Sequence, residues 1–137
     1  MYESFHNGVA EVVYETEDFL EDLPVLVERL RPEIIIPILG YYFDGIYGVE
    51  EGGSVLRACL HYRLGLPSLL APTRKCLIVD DIVDSGKTLA HYAEKGIFIA
   101  TIFYHPRSIV VPNVWLHEKY DKWVRFELWE GMEDKGV

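Results

Sequence analysis

The segment from Cys76 to Leu89 limits the folds open to this chain more than any other. Cys76-Leu77-Ile78-Val79 runs without a polar break into Asp80-Asp81-Ile82-Val83-Asp84-Ser85-Gly86-Lys87-Thr88-Leu89. An uninterrupted apolar run of this kind suits a strand covered on both faces, as in a parallel sheet. The acids then leave the sheet on adjacent residues, and Ser85-Gly86-Lys87-Thr88 turns into a helix predicted to run to about Lys95. Free amides at such a turn, with the Ser85 and Thr88 hydroxyls, can hold a phosphate monoester, and Gly86 permits close backbone approach.

The rest of the chain supplies further units of the same kind. Phe19, Leu20, Leu23, Leu26, Val27 and Leu30 recur at helical spacing, with Pro24 expected to disturb the helix. Ile34 to Ile36 reads as the first buried strand, Gly52 to Tyr62 as a helix closed at Gly65, and Leu66 to Leu70 as a short strand. Continuous apolar strands are predicted from Ile97 to Tyr104 and from Val110 to Leu116. Strands alternating with helices predict an α/β fold, a doubly wound, mostly parallel sheet flanked by helices. Its ligand belongs at the carboxyl ends of the strands, where the acids lie. With 137 residues and no linker or repeat, one domain spanning residues 1–137 is expected.

Charge narrows the partners. Thirteen Lys and Arg against 22 Asp and Glu leave a net charge of −9, the wrong sign for tracking a nucleic-acid backbone. No run of eighteen apolar residues and no basic-then-apolar leader occurs, so no membrane partner and a cytoplasmic setting are expected. Cys59 and Cys76 read as reduced core thiols.

Two other motifs compete for the acidic turn. A Walker A loop shares Gly86-Lys87-Thr88, but it needs glycine where Asp81 stands, and an acid there repels a triphosphate. A phosphoreceiver domain also ends a strand in two acids, but with more units to come than this chain has after Asp81. Two acids, two apolar residues, a third acid and then Ser-Gly resembles the phosphoribosyl pyrophosphate (PRPP) motif of the type I phosphoribosyltransferases at every defined position.

The resemblance implies that Asp80 and Asp81 hold the ribose hydroxyls, and that Ser85, Gly86, Lys87 and Thr88 cradle the 5′-phosphate. It implies that Asp84 exchanges a proton with N7 of a purine. Mg²⁺ is the implied cofactor, held largely by substrate and water oxygens with no all-protein cage. The segments around Tyr104-His105-Pro106-Arg107-Ser108, Asp121-Lys122-Trp123-Val124 and Leu128-Trp129-Glu130 are similar to bacterial and archaeal xanthine-guanine and hypoxanthine phosphoribosyltransferases. That similarity implies that Trp123 stacks on the base, that the Val124 backbone bonds its edge, and that His105 stands where a lysine usually donates to O6. Trp123 and Trp129 read equally as core or interface aromatics. PRPP and a purine base are the implied partners, together with a second copy of the chain, for which the tyrosine-rich stretch Tyr41 to Tyr47 offers an apolar surface.

Three departures accompany the resemblance. The pyrophosphate loop, Glu51-Gly52-Gly53 preceded by Glu50, carries acids where a basic residue is usual, and Gly40 to Val49 reads as an insertion before it. Ala71 to Lys75 is too short for a closing lid, and the helix after the motif is brief. These features raise a second reading, a phosphoribosyltransferase-like protein that binds PRPP or a nucleotide as a regulator or sensor.

Overall fold

A computed structural model describes residues 1–36, 40–41 and 43–130; for residues 35, 36, 40 and 41 it describes the backbone alone. The chain opens with a hairpin, β1 (Tyr2–His6) and β2 (Val9–Tyr14), which the sequence reading did not anticipate. Asn7 and Gly8 both have positive φ, the backbone that a two-residue hairpin turn with the strands' own twist requires.

Helix α1 (Thr16–Ile34) then runs through both Pro24 and Pro32. Its buried stripe of Phe19, Leu23, Leu26, Val27, Leu30 and Ile34 continues past each proline, so packing outweighs the lost backbone bonds. Leu20, expected in that stripe, is exposed. The strand expected at Ile34 to Ile36 is displaced, because Ile34 ends the helix. β3 (Ile35–Ile36) and β4 (Gly40–Tyr41) pair only with each other, antiparallel.

The main sheet draws its first strand from the stretch read as an insertion. β5 (Ile46–Gly48) leads into α2 (Glu50–Leu64), which ends at Gly65 as expected, with the Gly65 amide bonded to the His61 carbonyl. β6 (Leu77–Val83), α3 (Ala90–Glu94), β7 (Phe98–Tyr104) and β8 (His117–Glu118) follow, and β5-β6-β7-β8 is a parallel sheet in that order. β9 (Trp123–Phe126) adds in parallel to β2, with Val12 opposite Val124.

Two predicted strands shrink. Leu66 to Leu70 contributes a single parallel bridge, Ser68 to Ile46, and Val110 to Leu116 another, Val114 to Ala100. In the second case Pro112 has no amide to give, and the Asn113 side chain takes the Ile99 amide that a neighbouring strand would otherwise accept. Both faces of the sheet are nevertheless covered, as the apolar runs require. Leu77 and Val79 pack with Leu26, Leu30, Leu56 and Leu60, while Ile78 and Ile99 pack with Leu89, Ile97 and Val110. Each such leucine contributes roughly 1.5–3 kcal/mol of burial. Phe43 belongs to the first of these clusters and Tyr47 is half-buried, so these two members of the aromatic stretch do not form an exposed patch; Tyr42 and the Tyr41 side chain lie outside the described residues.

Candidate functional site

The strand ends β5 and β6 and the start of α2 converge very closely. The Val49 amide donates to the Val79 carbonyl at 3.0 Å, and Glu50 takes a positive φ as the chain turns into the helix. A Cβ on Gly53 would stand 2.6 Å from the Val79 carbonyl oxygen, and one on Gly52 would stand 2.2 Å from Oδ2 of Asp81. The two glycines therefore let α2 begin against the acidic middle of β6, which runs on past Asp80 and Asp81 to Val83 instead of ending at the acids as expected.

Asp80 and Asp81 are organised by local bonds. Asp80 Oδ1 accepts the Asp81 amide and Asp81 Oδ1 the Ile82 amide, each at 2.8 Å. Trp129 Nε1 donates to Asp81 Oδ2 at 3.0 Å. Burial, and then the charge of Asp81 beside it, push the Asp80 carboxyl up to about 9. At neutral pH one member of the pair therefore keeps its proton.

The chain after Asp84 is a turn rather than the start of a helix. α3 begins only at Ala90 and has five residues, fewer than predicted, so the Ser85–Thr88 amides act as a loop and not as a helix end. Gly86 has φ +85, and a Cβ there would meet Ser108 Oγ at 2.5 Å and the Val110 amide at 2.8 Å. The Ile109 amide donates to the Ser85 carbonyl, and the Lys87 amide reaches Ser85 Oγ. Among the described residues, the amides of Gly86 and Thr88 donate to no acceptor.

A cleft of about 1250 Å³ opens over this junction. Its wall unites Glu51, Gly52, Asp80, Asp81 and Asp84 with Trp123 and Val124, which β9 brings to the opposite side. Trp123 is 69 % exposed there, whereas Trp129, which also reaches the wall, is largely buried and stacks on Phe126 with ring centroids 5.2 Å apart. Gly53 and Ser85 to Thr88 are not part of that wall.

His105 is absent from the wall as well, so the structure does not bring it together with the other residues expected at the base. Its Nε2 lies 3.1 Å from Asp121 Oδ1 and its Nδ1 accepts the Arg107 amide at 3.0 Å, so both ring nitrogens are occupied. The cleft instead carries cations that the sequence reading missed, Lys119, Arg57 and Arg125. Lys119 is buried, with Nζ 3.1 Å from Asp84 Oδ1. Arg57, on α2, donates to the Leu69 carbonyl at 3.2 Å, and its Nε is buried without a partner among the described residues. A lysine between Glu118 and Tyr120 forms no local motif; it faces Asp84 because both follow the ends of parallel strands, β8 and β6, that flank β7.

Solved structures share this architecture. A xanthine-guanine-hypoxanthine phosphoribosyltransferase of Helicobacter pylori aligns over 92% of this chain and 98% of its own, with TM-score 0.72 and 18% identity. A purine phosphoribosyltransferase of Pyrococcus horikoshii aligns over 85% of this chain and 92% of its own, with TM-score 0.68 and 26% identity. A variant of the hypoxanthine phosphoribosyltransferase of Trypanosoma cruzi, solved with its product IMP, covers 86% of this chain and 81% of its own at TM-score 0.62 and 14% identity. No protein-family model and no curated protein matches the sequence.

The parallel four-stranded sheet flanked by helices, with Asp80 and Asp81 inside β6, has the type I phosphoribosyltransferase-like fold, and the solved structures that share it are purine phosphoribosyltransferases. Among the described residues, no helix is long and apolar enough to cross a membrane.

Proposed function

We propose that the protein transfers the phosphoribosyl group of PRPP to a purine base, releasing pyrophosphate and a nucleoside monophosphate. One observation carries this reading: Asp80, Asp81 and Asp84 share a single cleft wall with the exposed indole of Trp123. The cleft is large enough for a sugar phosphate and a base together.

In this reading Asp80, holding its proton, donates to one ribose oxygen, and Asp81, kept in place by Trp129, accepts from another. The phosphate lies on the free amides after Asp84. The base stacks on Trp123 and bonds the Val124 backbone at its edge. Asp84 accepts the N7 proton as N9 forms its bond to the anomeric carbon and the bond to pyrophosphate breaks. Positive charge developing on the sugar ring is stabilised by the neighbouring carboxylates. Glu51 and Gly52, from the Glu51-Gly52-Gly53 loop, face the pyrophosphate, with Arg57 on the same wall as the cation that offsets the acids.

The donor chemistry fits Mg²⁺. Glu50, Glu51, Asp80 and Asp81 all line the cleft with hard oxygen donors, but among the described residues no three side chains are grouped so as to hold a metal ion. Substrate and water oxygens would therefore supply most of the coordination of the ion, which when bound would neutralise the leaving pyrophosphate.

A second reading, a regulator that binds PRPP or a nucleotide without efficient turnover, is favoured by Glu50 and Glu51, both exposed on the cleft wall. Like charges there oppose pyrophosphate. Incubation with PRPP, Mg²⁺ and each purine base, with detection of nucleoside monophosphate, separates the two. Product that falls about 10²–10⁴-fold in Asp84→Asn supports the transferase. Nucleotide binding without product supports the regulator, and full turnover in Asp84→Asn removes that residue from the mechanism. A homodimer belongs to the same reading and is tested by sedimentation, where a monomer at micromolar concentration would exclude it.

A further inference from the structure

We propose that the same cleft has a second activity, the hydrolysis of a bound purine nucleoside 5′-monophosphate to ribose 5-phosphate and free base, with Glu51 as the general base that activates water. The proposal rests on the placement of sugar and base given above and adds a reaction to it.

Glu51 differs from the aspartates of the cleft in having no partner. Asp80 accepts the Asp81 amide, Asp81 accepts the Ile82 amide and the Trp129 indole N–H, and Asp84 meets Lys119. Among the described residues the exposed Glu51 carboxylate engages nothing. Its place along the sugar follows from its neighbour. A Cβ on Gly52 would stand 2.2 Å from Asp81 Oδ2, so the chain bearing Glu51 opens α2 directly against the acid that holds a ribose hydroxyl. Trp123, which carries the base, comes from the opposite side of the cleft on β9. Base and Glu51 therefore address opposite faces of the anomeric carbon.

Pyrophosphate leaves from the Glu51 face in the transfer reaction, and an unpaired carboxylate there opposes a polyanion. Towards a neutral water it does the reverse, accepting a proton. Water reaches that face freely. Leu70, on the same wall, is 91 % exposed, and residues 71–75, which lead towards β6, are all exposed as well. A reacting centre left wet in this way favours hydrolysis.

The step needs no further reactant. The water oxygen bonds to the anomeric carbon and passes one proton to Glu51, while the bond from that carbon to N9 breaks with its electron pair going to the base. The departing base takes up a proton at N7, relayed from solvent through Asp84, and Glu51 returns its own proton to solvent. One carboxylate serving the leaving group and another serving water on the opposite face is the division of work in inverting glycoside hydrolysis, so attack inverts the anomeric carbon.

Incubation of the full chain with IMP in buffer free of pyrophosphate tests the assignment. Wild type is expected to release hypoxanthine and ribose 5-phosphate in equal amounts, and in dilute methanol to form the α-methyl riboside 5-phosphate, the inverted product. Glu51→Gln should slow release by about 10²–10⁴-fold, and Glu51→Asp should recover part of the loss, with unfolding curves reporting that both variants fold. Equal release in Glu51→Gln, a β-methyl product, or release that requires added pyrophosphate overturns the proposal and leaves phosphoribosyl transfer standing. IMP that binds in a calorimetric titration and is not cleaved has the same consequence. Failure to bind IMP at all removes both this proposal and the purine reading.

Discussion

Trp129 donates its indole N–H to Asp81 Oδ2 at 3.0 Å, joining the segment after β9 to the acidic stretch of β6 across 48 residues of sequence. The same ring stacks on Phe126 and meets Phe19 edge-on, so one side chain closes the core and orients a carboxylate of the cleft. Trp129→Phe keeps much of the packing and removes the donor. Stability should fall by about 1–3 kcal/mol, the cost of leaving a half-buried carboxylate oxygen without its partner. A urea midpoint equal to wild type would show that the bond contributes nothing.

Gly52 and Gly53 should respond differently to the same substitution. In Gly53→Ala the new methyl meets backbone, the Val79 carbonyl oxygen at 2.6 Å, and only a shift of α2 against β6 relieves it. A loss on the order of 1–3 kcal/mol is expected on thermal unfolding. In Gly52→Ala the obstacle is the Asp81 side chain, which can rotate away at the expense of its Trp129 bond. That variant gives up a bond of similar cost, so it should lose about as much stability as Gly53→Ala but more PRPP affinity; comparable unfolding curves with unequal titrations are the expected pattern.

Asp80 sets a pH dependence of stability. Burial, followed by the charge of Asp81, raises its folded-state value from 3.8 to about 9, so between those limits the native protein holds a proton that the unfolded chain releases. Its contribution is therefore greatest in acid and is lost as pH rises towards 9. Asp80→Asn removes that dependence. It should be more stable than wild type at pH 8, with the gain shrinking towards pH 4, as followed by denaturant melts across that range. A gain that instead grew towards acid would mean that Asp80 is ionised in the native state.

Gly86 carries both a left-handed backbone and a close approach to Ser108 and the Val110 amide. Gly86→Ala should cost about 1–3 kcal/mol through strain and overpacking together, and should weaken ribose-5-phosphate binding because the free amides lie on the same turn. Unchanged affinity for ribose 5-phosphate would separate the turn from phosphate binding.

The run from Cys76 to Leu89 was legible because its meaning is local: an apolar strand, the acids it carries and a glycine turn are neighbours in sequence as well as in space. The helical stripes of α1 and α2 were legible for the same reason, since a side chain's face follows from spacing. β5 was not. Ile46 to Gly48 is three residues long, too short for any pattern, and is a strand because β6 supplies its partners.

The cleft divides along the same line. The amino-acid order alone determined that two carboxylates follow a buried apolar run and that a glycine loop comes next, because those features need only covalent neighbours; that the strand carries on through the acids to Val83 was decided by its pairing with β7. Tertiary structure alone decided that Trp123 is open to the cleft while Trp129 is buried, that His105 is turned away, and that Lys119 meets Asp84. Each of these depends on strand pairings between residues far apart in the chain, β2 with β9 and β7 with β8, and the side chains near them could not be assigned a neighbour until those registers were set.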